Sequence, residues 1–285
     1  MKKIILVVLL VGIAGIAGIV RSHSKTGGSD WRSVMSGDKQ SLEDAREEIR
    51  KSYELSPGAR VEVSGINGTV KIETSDSKTA EVYIERTGAS QEVLVRRKIV
   101  IDSTPTSLTI RGEKSGGSFF ARLFGRSPSE RVTLRLPKEI SLVAHGVNGA
   151  VTVGAIDGSV EVHGVNGRVD VAQASGSAEF HGINGNISVA LKQLGKDGIG
   201  LHGINGNIEL RLDSAVSANL EAHGMNGSVT SDLPEVAVEK NGHGSYSARI
   251  GNGGNSISAS GVNGNIRLTR MMSDATPADQ AKSKS

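Results

Sequence analysis

A four-residue phrase, Gly-x-Asn-Gly, occurs seven times in this chain of 285 residues and constrains its fold more than any other feature. Five successive copies lie 18, 18, 21 and 21 residues apart, a fixed period of the kind that is typical of repeat architectures. Because Gly prefers and Asn tolerates a positive φ angle, each copy predicts a corner with its asparagine at positive φ. We expect the asparagines to stack as a structural ladder. They are Asn67, Asn148, Asn166, Asn184, Asn205, Asn226 and Asn263.

Alternating apolar residues flank each corner. On either side of Asn166, the pairs Val160 and Val162, and Val169 and Val171, are separated by polar residues. A period of two predicts β-strands with one apolar face. A second, less regular corner closes each repeat, so two strands and two corners fill one period, and the chain is predicted to be all-β.

Two architectures satisfy this pattern. In a β-solenoid, or β-helix, each repeat of 18–21 residues is one coil, and like residues stack along the axis. In a hairpin meander, Asn-Gly is a two-residue turn that pairs Val162 with Val171. The step from 18 to 21 residues and the low aromatic content of 3% favour the thin coils of a solenoid.

The chain begins with Lys2 and Lys3, followed by the apolar run Ile4–Val20. This pattern predicts that residues 1–20 are a signal or transmembrane anchor, with the repeat domain outside the cytoplasm. A linker is predicted at 21–40 and a disordered tail at 271–285. The sequence contains no cysteine, which excludes disulfides and a lipoprotein-type modification.

Residues 41–56 predict a short amphipathic helix that covers the open end of the repeat domain at 57–270. Ser41 and Asp44 resemble a capping box, and Pro57 would stop the helix. One helix face would carry Leu42, Ala45, Ile49 and Tyr53.

Two segments of the repeat domain depart from the regular period. The segment Val93–Ile101 is predicted to be one continuous strand. The interval of 37 residues between Asn226 and Asn263 is predicted to hold about two coils, divided by a degraded corner at Asn241.

A histidine stands immediately before five of the corners, at a position that alternation places on the surface. We expect one surface ladder, with a partial carboxylate ladder of Glu161, Glu179 and Glu221 beside it. Histidine with carboxylate is metal-ligand chemistry, although a regular ladder offers no unique constellation, and a stack without a ligand is the simpler interpretation. The histidines are His145, His163, His181, His202 and His223.

The insertion Gly112–Arg131 is a candidate contact loop. Its aromatic residues predict one face of a short helix, with basic residues towards another side. This face either folds back on the solenoid or docks onto a membrane surface or partner protein. The residues concerned are Phe119, Phe120, Phe124, Arg122 and Arg126.

Several function classes are disfavoured by the sequence. The formal net charge is only +3, and Lys2 and Lys3 supply two of these charges, which argues against a nucleic-acid binder. The polar pattern repeats evenly, without a nucleophile motif or a phosphate-binding loop, so we predict neither an enzyme nor a cofactor.

The segments VEVSGINGTVKIET at Val61–Thr74 and SISASGVNGNIRL at Ser256–Leu268, with the run of corners between them, resemble a bacterial family of candidate adhesins. They are also similar to head GIN domain proteins, named for a Gly-Ile-Asn motif. The resemblance implies a β-helical fold and a cell-envelope location. We therefore expect a structural or adhesin-like protein that binds an envelope protein, a glycan or a membrane surface. The alternatives are a metal- or pH-responsive envelope sensor that uses the histidines, and a glycan-acting enzyme.

Overall fold

The computed structural model describes residues 44–114 and 127–271, and this part of the chain is all-β, with two mixed sheets and one short helix. The predictions for residues 1–20, 21–40 and the tail at 272–285 lie outside these residues. In the part of the chain that the structure describes, no helix is long and apolar enough to cross a membrane.

The strands form two sheets, and through the regular repeats successive strands alternate between them. In chain order they are β1 (Ala45–Glu54), β2 (Ala59–Ser64), β3 (Gly68–Ser75), β4 (Thr79–Gly88), β5 (Arg97–Thr104), β6 (Ser107–Lys114), β7 (Ser129–Pro137), β8 (Ile140–His145), β9 (Val151–Ile156), β10 (Val160–His163), β11 (Val169–Ala174), β12 (Ala178–His181), β13 (Ile187–Leu191), β14 (Ile199–His202), β15 (Ile208–Leu212), β16 (Ala218–His223), β17 (Val229–Ser231), β18 (Val238–Lys240), β19 (Tyr246–Ile250), β20 (Asn255–Ser260) and β21 (Ile266–Arg270). The first sheet has the order β1-β4-β7-β3-β9-β11-β13-β15-β21-β17, and the second β18-β19-β16-β20-β14-β12-β10-β8-β2-β6-β5.

Each regular repeat gives one strand to each sheet, and the Gly-x-Asn-Gly corner joins the two. Strands of successive repeats pair in parallel and in register. Val162 lies between Ala144 and Phe180 of the neighbouring repeats. The hairpin alternative, which pairs Val162 with Val171, is therefore wrong.

The hydrophobic core is formed by the inward-facing residues of both sheets, which belong to one buried cluster. Strand β10 shows the alternation, because Val160 and Val162 are fully buried while Glu161 and His163 are partly exposed. The apolar residue inside each corner also joins the core. These residues are Ile66, Val147, Val165, Ile183, Ile204, Met225 and Val262.

Glycine, not asparagine, carries the unusual backbone conformation of the corners. The first glycine is left-handed, with a φ of 58° at Gly164, and no described non-glycine residue has a positive φ. The prediction of positive φ at the asparagines is therefore wrong. Glycine has no Cβ to clash in this conformation, so it makes the corner and the asparagine stays unstrained. The second glycine allows close stacking, since a Cβ on Gly167 would lie 2.4 Å from the carbonyl oxygen of Gly149.

The seven corner asparagines form one continuous ladder. Six of the seven Nδ2 groups donate a hydrogen bond of 2.9–3.1 Å to Oδ1 of the asparagine in the adjacent repeat. At the end of the ladder, the Nδ2 group of Asn67 donates to the Pro128 carbonyl at 2.8 Å. The spatial order is Asn67, Asn148, Asn166, Asn184, Asn205, Asn263 and Asn226. The backbone follows the same path, because the Asn166 N–H donates to the carbonyl of Val147 at 2.9 Å.

This order shows that the last repeat is inserted between two earlier ones. Strands β20 and β21 lie between β14/β15 and β16/β17, so Asn263 separates Asn205 from Asn226. The interval between Asn226 and Asn263 does not contain a further stacked corner. It forms the antiparallel pair β18 and β19, and Asn241 lies in the turn that joins them. The prediction of a dividing corner at Asn241 is wrong.

The predicted helix over 41–56 is wrong from Ala45 onwards, because β1 occupies Ala45–Glu54 and pairs antiparallel with β4 along its whole length. Alternate residues of β1 are half-buried, but two of them are the charged Glu47 and Lys51, which conceal the period of two in the sequence. The pairing with β4 therefore determines the conformation of this segment, although its apolar residues have the spacing of a helix. The strand still lies at one end of the first sheet, where a cap was expected.

The segment Val93–Ile101 is also not one strand. Helix α1 (Gln91–Arg96) precedes β5, and Arg97 at their junction is buried. The Arg97 Nε donates to Glu130 Oε1 at 2.7 Å, and the second oxygen of Glu130 accepts the Asn67 N–H at 2.8 Å. This buried ion pair therefore holds the first corner of the asparagine ladder.

We predict that Glu130→Gln lowers the free energy of unfolding by about 3–5 kcal/mol, because it leaves the Arg97 charge buried without a counter-ion. The side chains of this pair are 9% and 0% exposed. A matched control is Asp170→Asn, whose partner Arg168 lies at the same 2.7 Å but is 63% exposed, so the loss should be below about 1 kcal/mol. Urea denaturation followed by circular dichroism measures both. Equal losses would contradict the structural role of the buried pair.

A second prediction concerns the ladder. Asn184 makes two ladder bonds and Asn226 makes one, and each is expected to contribute about 0.5–1.5 kcal/mol. Asn184→Ala should therefore cost about twice as much unfolding free energy as Asn226→Ala. Asn184→Gly should not rescue stability, because no positive φ is required at this position. If glycine restores the wild-type melting temperature, the hydrogen-bond account is wrong.

Candidate functional site

The histidines that precede the corners form a column at the ends of the strands of the second sheet. Strand register gives the column the order Ser64, His145, His163, His181, His202, Ser260 and His223. Four histidines are consecutive, and Ser260 of the inserted strand β20 separates His223 from them. The prediction of one ladder with all five histidines is therefore wrong in this respect.

The side chains of the four consecutive histidines are about one-third to one-half exposed, and their contacts differ from one repeat to the next. His145 Nε2 lies 3.1 Å from Glu62 Oε1. The rings of His163 and His181 are stacked, with centroids 5.4 Å apart and an interplanar angle of 13°. The rings of His181 and His202 are closer, at 4.7 Å, and are tilted by 37°.

This tilt accompanies a convergence on one carboxylate. Glu179 Oε2 lies 3.6 Å from Nε2 of His181 and 3.9 Å from Nε2 of His202. One ligand atom from each of these three residues lies within 4.8 Å of the others. On the far side of the second ring, His202 Nδ1 forms a 2.7 Å hydrogen bond with Ser260 Oγ.

Gly200 explains why the carboxylate can reach the second histidine. It is the neighbour of Glu179 in the next repeat, and a Cβ at Gly200 would lie 2.2 Å from Glu179 Oε2. Glu179 therefore leans across the backbone of β14. This role of Gly200 was not predicted. The sequence does contain a signal for it, since glycine interrupts the Glu-x-His spacing seen at Glu161 and Glu179.

The predicted carboxylate ladder is only partly assembled. Glu161 and Glu179 are neighbours on adjacent strands, whereas Glu221 lies beside Ser258 of the inserted strand. Glu62, which accompanies His145 from a repeat 83 residues away in the chain, is not among the predicted carboxylates.

A shallow polar groove of about 630 Å³ lies on the outer face of the first sheet. One column of its lining is formed by the residue that follows each corner, in the order Arg168, Asn186, Asn207, Asn265 and Ser228. The remaining lining consists of Ile187, Ser188, Ile208, Glu209, Thr230, Asp232 and Arg267.

The groove presents a row of hydrogen-bond donors. The Oδ1 atoms of Asn186 and Asn207 each accept the backbone N–H of the next repeat at 3.0 Å, and Asn265 Oδ1 accepts from Ser228 in the same way. Within residues 44–114 and 127–271, the Nδ2 groups of these three asparagines donate to no protein atom. Nearby, the hydrogen bond to Asp232 raises the pKa of the Arg267 guanidinium above its ordinary value.

Two groups of predicted site residues remain, the corner asparagines and the contact loop. The corner asparagines come together, but their side chains bond one another along the ladder. The contact loop formed by Phe119, Phe120, Phe124, Arg122 and Arg126 lies outside the described residues.

No protein-family model and no curated protein matches this chain. Among solved structures, a candidate cell adhesion protein from Clostridium sporogenes is similar, with 13% identity, 79% of this chain and 100% of that chain covered, and a TM-score of 0.38. A candidate adhesin from Bacteroides fragilis has 12% identity, coverages of 78% and 97%, and a TM-score of 0.27. A candidate lipid-binding protein from Parabacteroides distasonis has 14% identity, the same coverages and a TM-score of 0.25. The structural neighbours thus include candidate adhesins, the family that the sequence resembles.

Proposed function

We propose that this chain is a non-enzymatic binding protein of the cell envelope, exported and anchored by residues 1–20, whose repeat domain presents polar columns to an extended glycan. The sequence resemblance to candidate adhesins supports a binding role. The observation that carries the proposal is the row of three amide donors at Asn186, Asn207 and Asn265 in the polar groove, none of which has a partner among the described residues.

The repeat region is proposed to be a β-solenoid of 18–21-residue coils. Parallel, in-register pairing of successive repeats in both sheets supports this architecture. In a solenoid, equivalent side chains recur about every 4.8 Å along the axis. A surface with such a repeat suits a long polymer better than a single small molecule, because each unit of the polymer meets similar chemistry.

The chemistry of the groove favours a ligand that is rich in hydrogen-bond acceptors. The amide groups of the asparagines donate, and the guanidinium groups of Arg168 and Arg267 supply further donors, while Glu209 and Asp232 balance their charge. Hydroxyl, carboxylate and phosphate oxygens of envelope polysaccharides are suitable acceptors. Exposed ion pairs of Arg168 with Asp170 and of Arg267 with Asp232 keep the two guanidinium groups oriented.

The absence of catalysis is part of the proposal. Glycan hydrolysis requires a local pair of carboxyl groups with distinct roles. In the groove the acidic residues Glu209 and Asp232 take part in contacts with Ser188 and Arg267. These contacts support a surface that holds a polymer rather than one that cleaves it.

The proposal is tested with the full-length protein on isolated peptidoglycan and on an array of acidic and neutral polysaccharides. The double variant Asn186→Asp with Asn265→Asp keeps the Oδ1 acceptors but replaces two donors by carboxylates. Affinity should fall at least about tenfold, from two lost hydrogen bonds and added repulsion of acidic ligands, while the melting temperature is unchanged.

The control carries the same charge change elsewhere. Asn241→Asp with Asn252→Asp alters two turns away from the groove and should bind like the wild type. Absence of binding to every polysaccharide, or equal binding by both double variants, would contradict the proposed site. Release of new reducing ends would contradict the non-enzymatic role.

A further inference from the structure

We propose that Glu179, His181 and His202 form a zinc-binding site on the second sheet, away from the polar groove. Two imidazole nitrogens and one carboxylate oxygen are ligands that Zn²⁺ commonly takes in proteins. The proposal goes beyond glycan binding, because the three residues belong to the histidine column and none of them lines the groove.

The distances are close to those that an ion requires. Zinc bonds of about 2.0–2.1 Å in tetrahedral geometry separate the ligand atoms by about 3.3 Å. Glu179 Oε2 lies 3.6 Å and 3.9 Å from the two Nε2 atoms. All three ligand atoms lie within 4.8 Å of one another, so we infer that rotation of the side chains, without a change in the backbone, brings them to bonding distance.

The neighbouring repeats lack this arrangement, although they contain the same residue types. Glu161 lies 3.7 Å from His163 Nε2, but its neighbour in the next repeat is Glu179 rather than glycine, so it has no space to lean across the strand. His145 instead bonds to Glu62. Among the residues that the structure describes, this is the one cluster with three converging metal ligands.

Two further features prepare the site. The space at Gly200 accommodates the carboxylate of Glu179. Ser260 Oγ accepts from His202 Nδ1 when that nitrogen is protonated, which leaves the lone pair of Nε2 free for the metal. Such a partner on the second nitrogen is the usual way in which proteins orient a histidine ligand. The three residues leave a fourth zinc position open to water or to a group from a binding partner.

The test uses the full-length protein without a histidine tag, titrated with ZnCl₂ by isothermal titration calorimetry. The wild type should bind one zinc ion per chain. Glu179→Gln and His202→Gln remove a ligand and should weaken affinity by at least about 10–100-fold. Gly200→Ala keeps all three ligands but fills the space of the carboxylate, so it should also weaken binding.

Matched controls are Glu161→Gln and His145→Gln, which change the same residue types in neighbouring repeats and should leave affinity unchanged. Thermal unfolding provides a second readout, since zinc should raise the melting temperature of the wild type and the controls but not of Glu179→Gln. Absence of saturable binding at one equivalent would overturn the proposal. Equal weakening by test and control variants, or wild-type affinity in Gly200→Ala, would assign binding to the histidine column in general and overturn the three-residue site.

Discussion

The stacking of one Gly-x-Asn-Gly corner on the next is the constraint on which the rest of this structure depends. Backbone bonds such as Asn184 N–H to Val165 C=O, at 2.8 Å, act together with the amide bond from Asn184 to Asn166. Because the corner fixes where one flanking strand ends and the next begins, it brings both into register with their neighbours. Each sequence position then becomes a column, and columns of apolar residues fill the core while columns of polar residues cover the two outer faces.

Regular columns create uniform surfaces, and departures from regularity create distinct sites. Gly200 replaces the expected glutamate and allows Glu179 to meet two histidines. Insertion of β20 and β21 places Ser260 beside His202 and Asn265 beside Asn207. The inserted repeat thus completes both the proposed zinc site and the proposed glycan groove.

The local sequence pattern predicted much of the fold, because the corners and the alternation of apolar and polar residues can be recognised within a few residues. The corners, the strand alternation around Asn166 and the all-β class follow from glycine chemistry and a period of two. The strand β1 could not be predicted in this way. Its half-buried face carries the charged Glu47, so the sequence shows no apolar alternation there, and the strand depends on its pairing with the distant β4. The spatial order of repeats was equally inaccessible, because identical corners fit one another in any order. The proposed zinc site depends on that order, which places Ser260 beside His202, and on the absence of a side chain at Gly200.

The most direct test of this account is disulfide crosslinking, which the absence of native cysteine makes simple to interpret. Glu209 and Arg267 are register partners on adjacent strands, at the separation of about 5 Å that a disulfide spans. Thr230 pairs with Arg267 from the other side, so it lies two strands from Glu209. We predict that Glu209→Cys with Arg267→Cys crosslinks on mild oxidation and that Glu209→Cys with Thr230→Cys does not. Crosslinking of the second pair instead of the first would show that the repeats stack in chain order and would contradict the inserted last repeat.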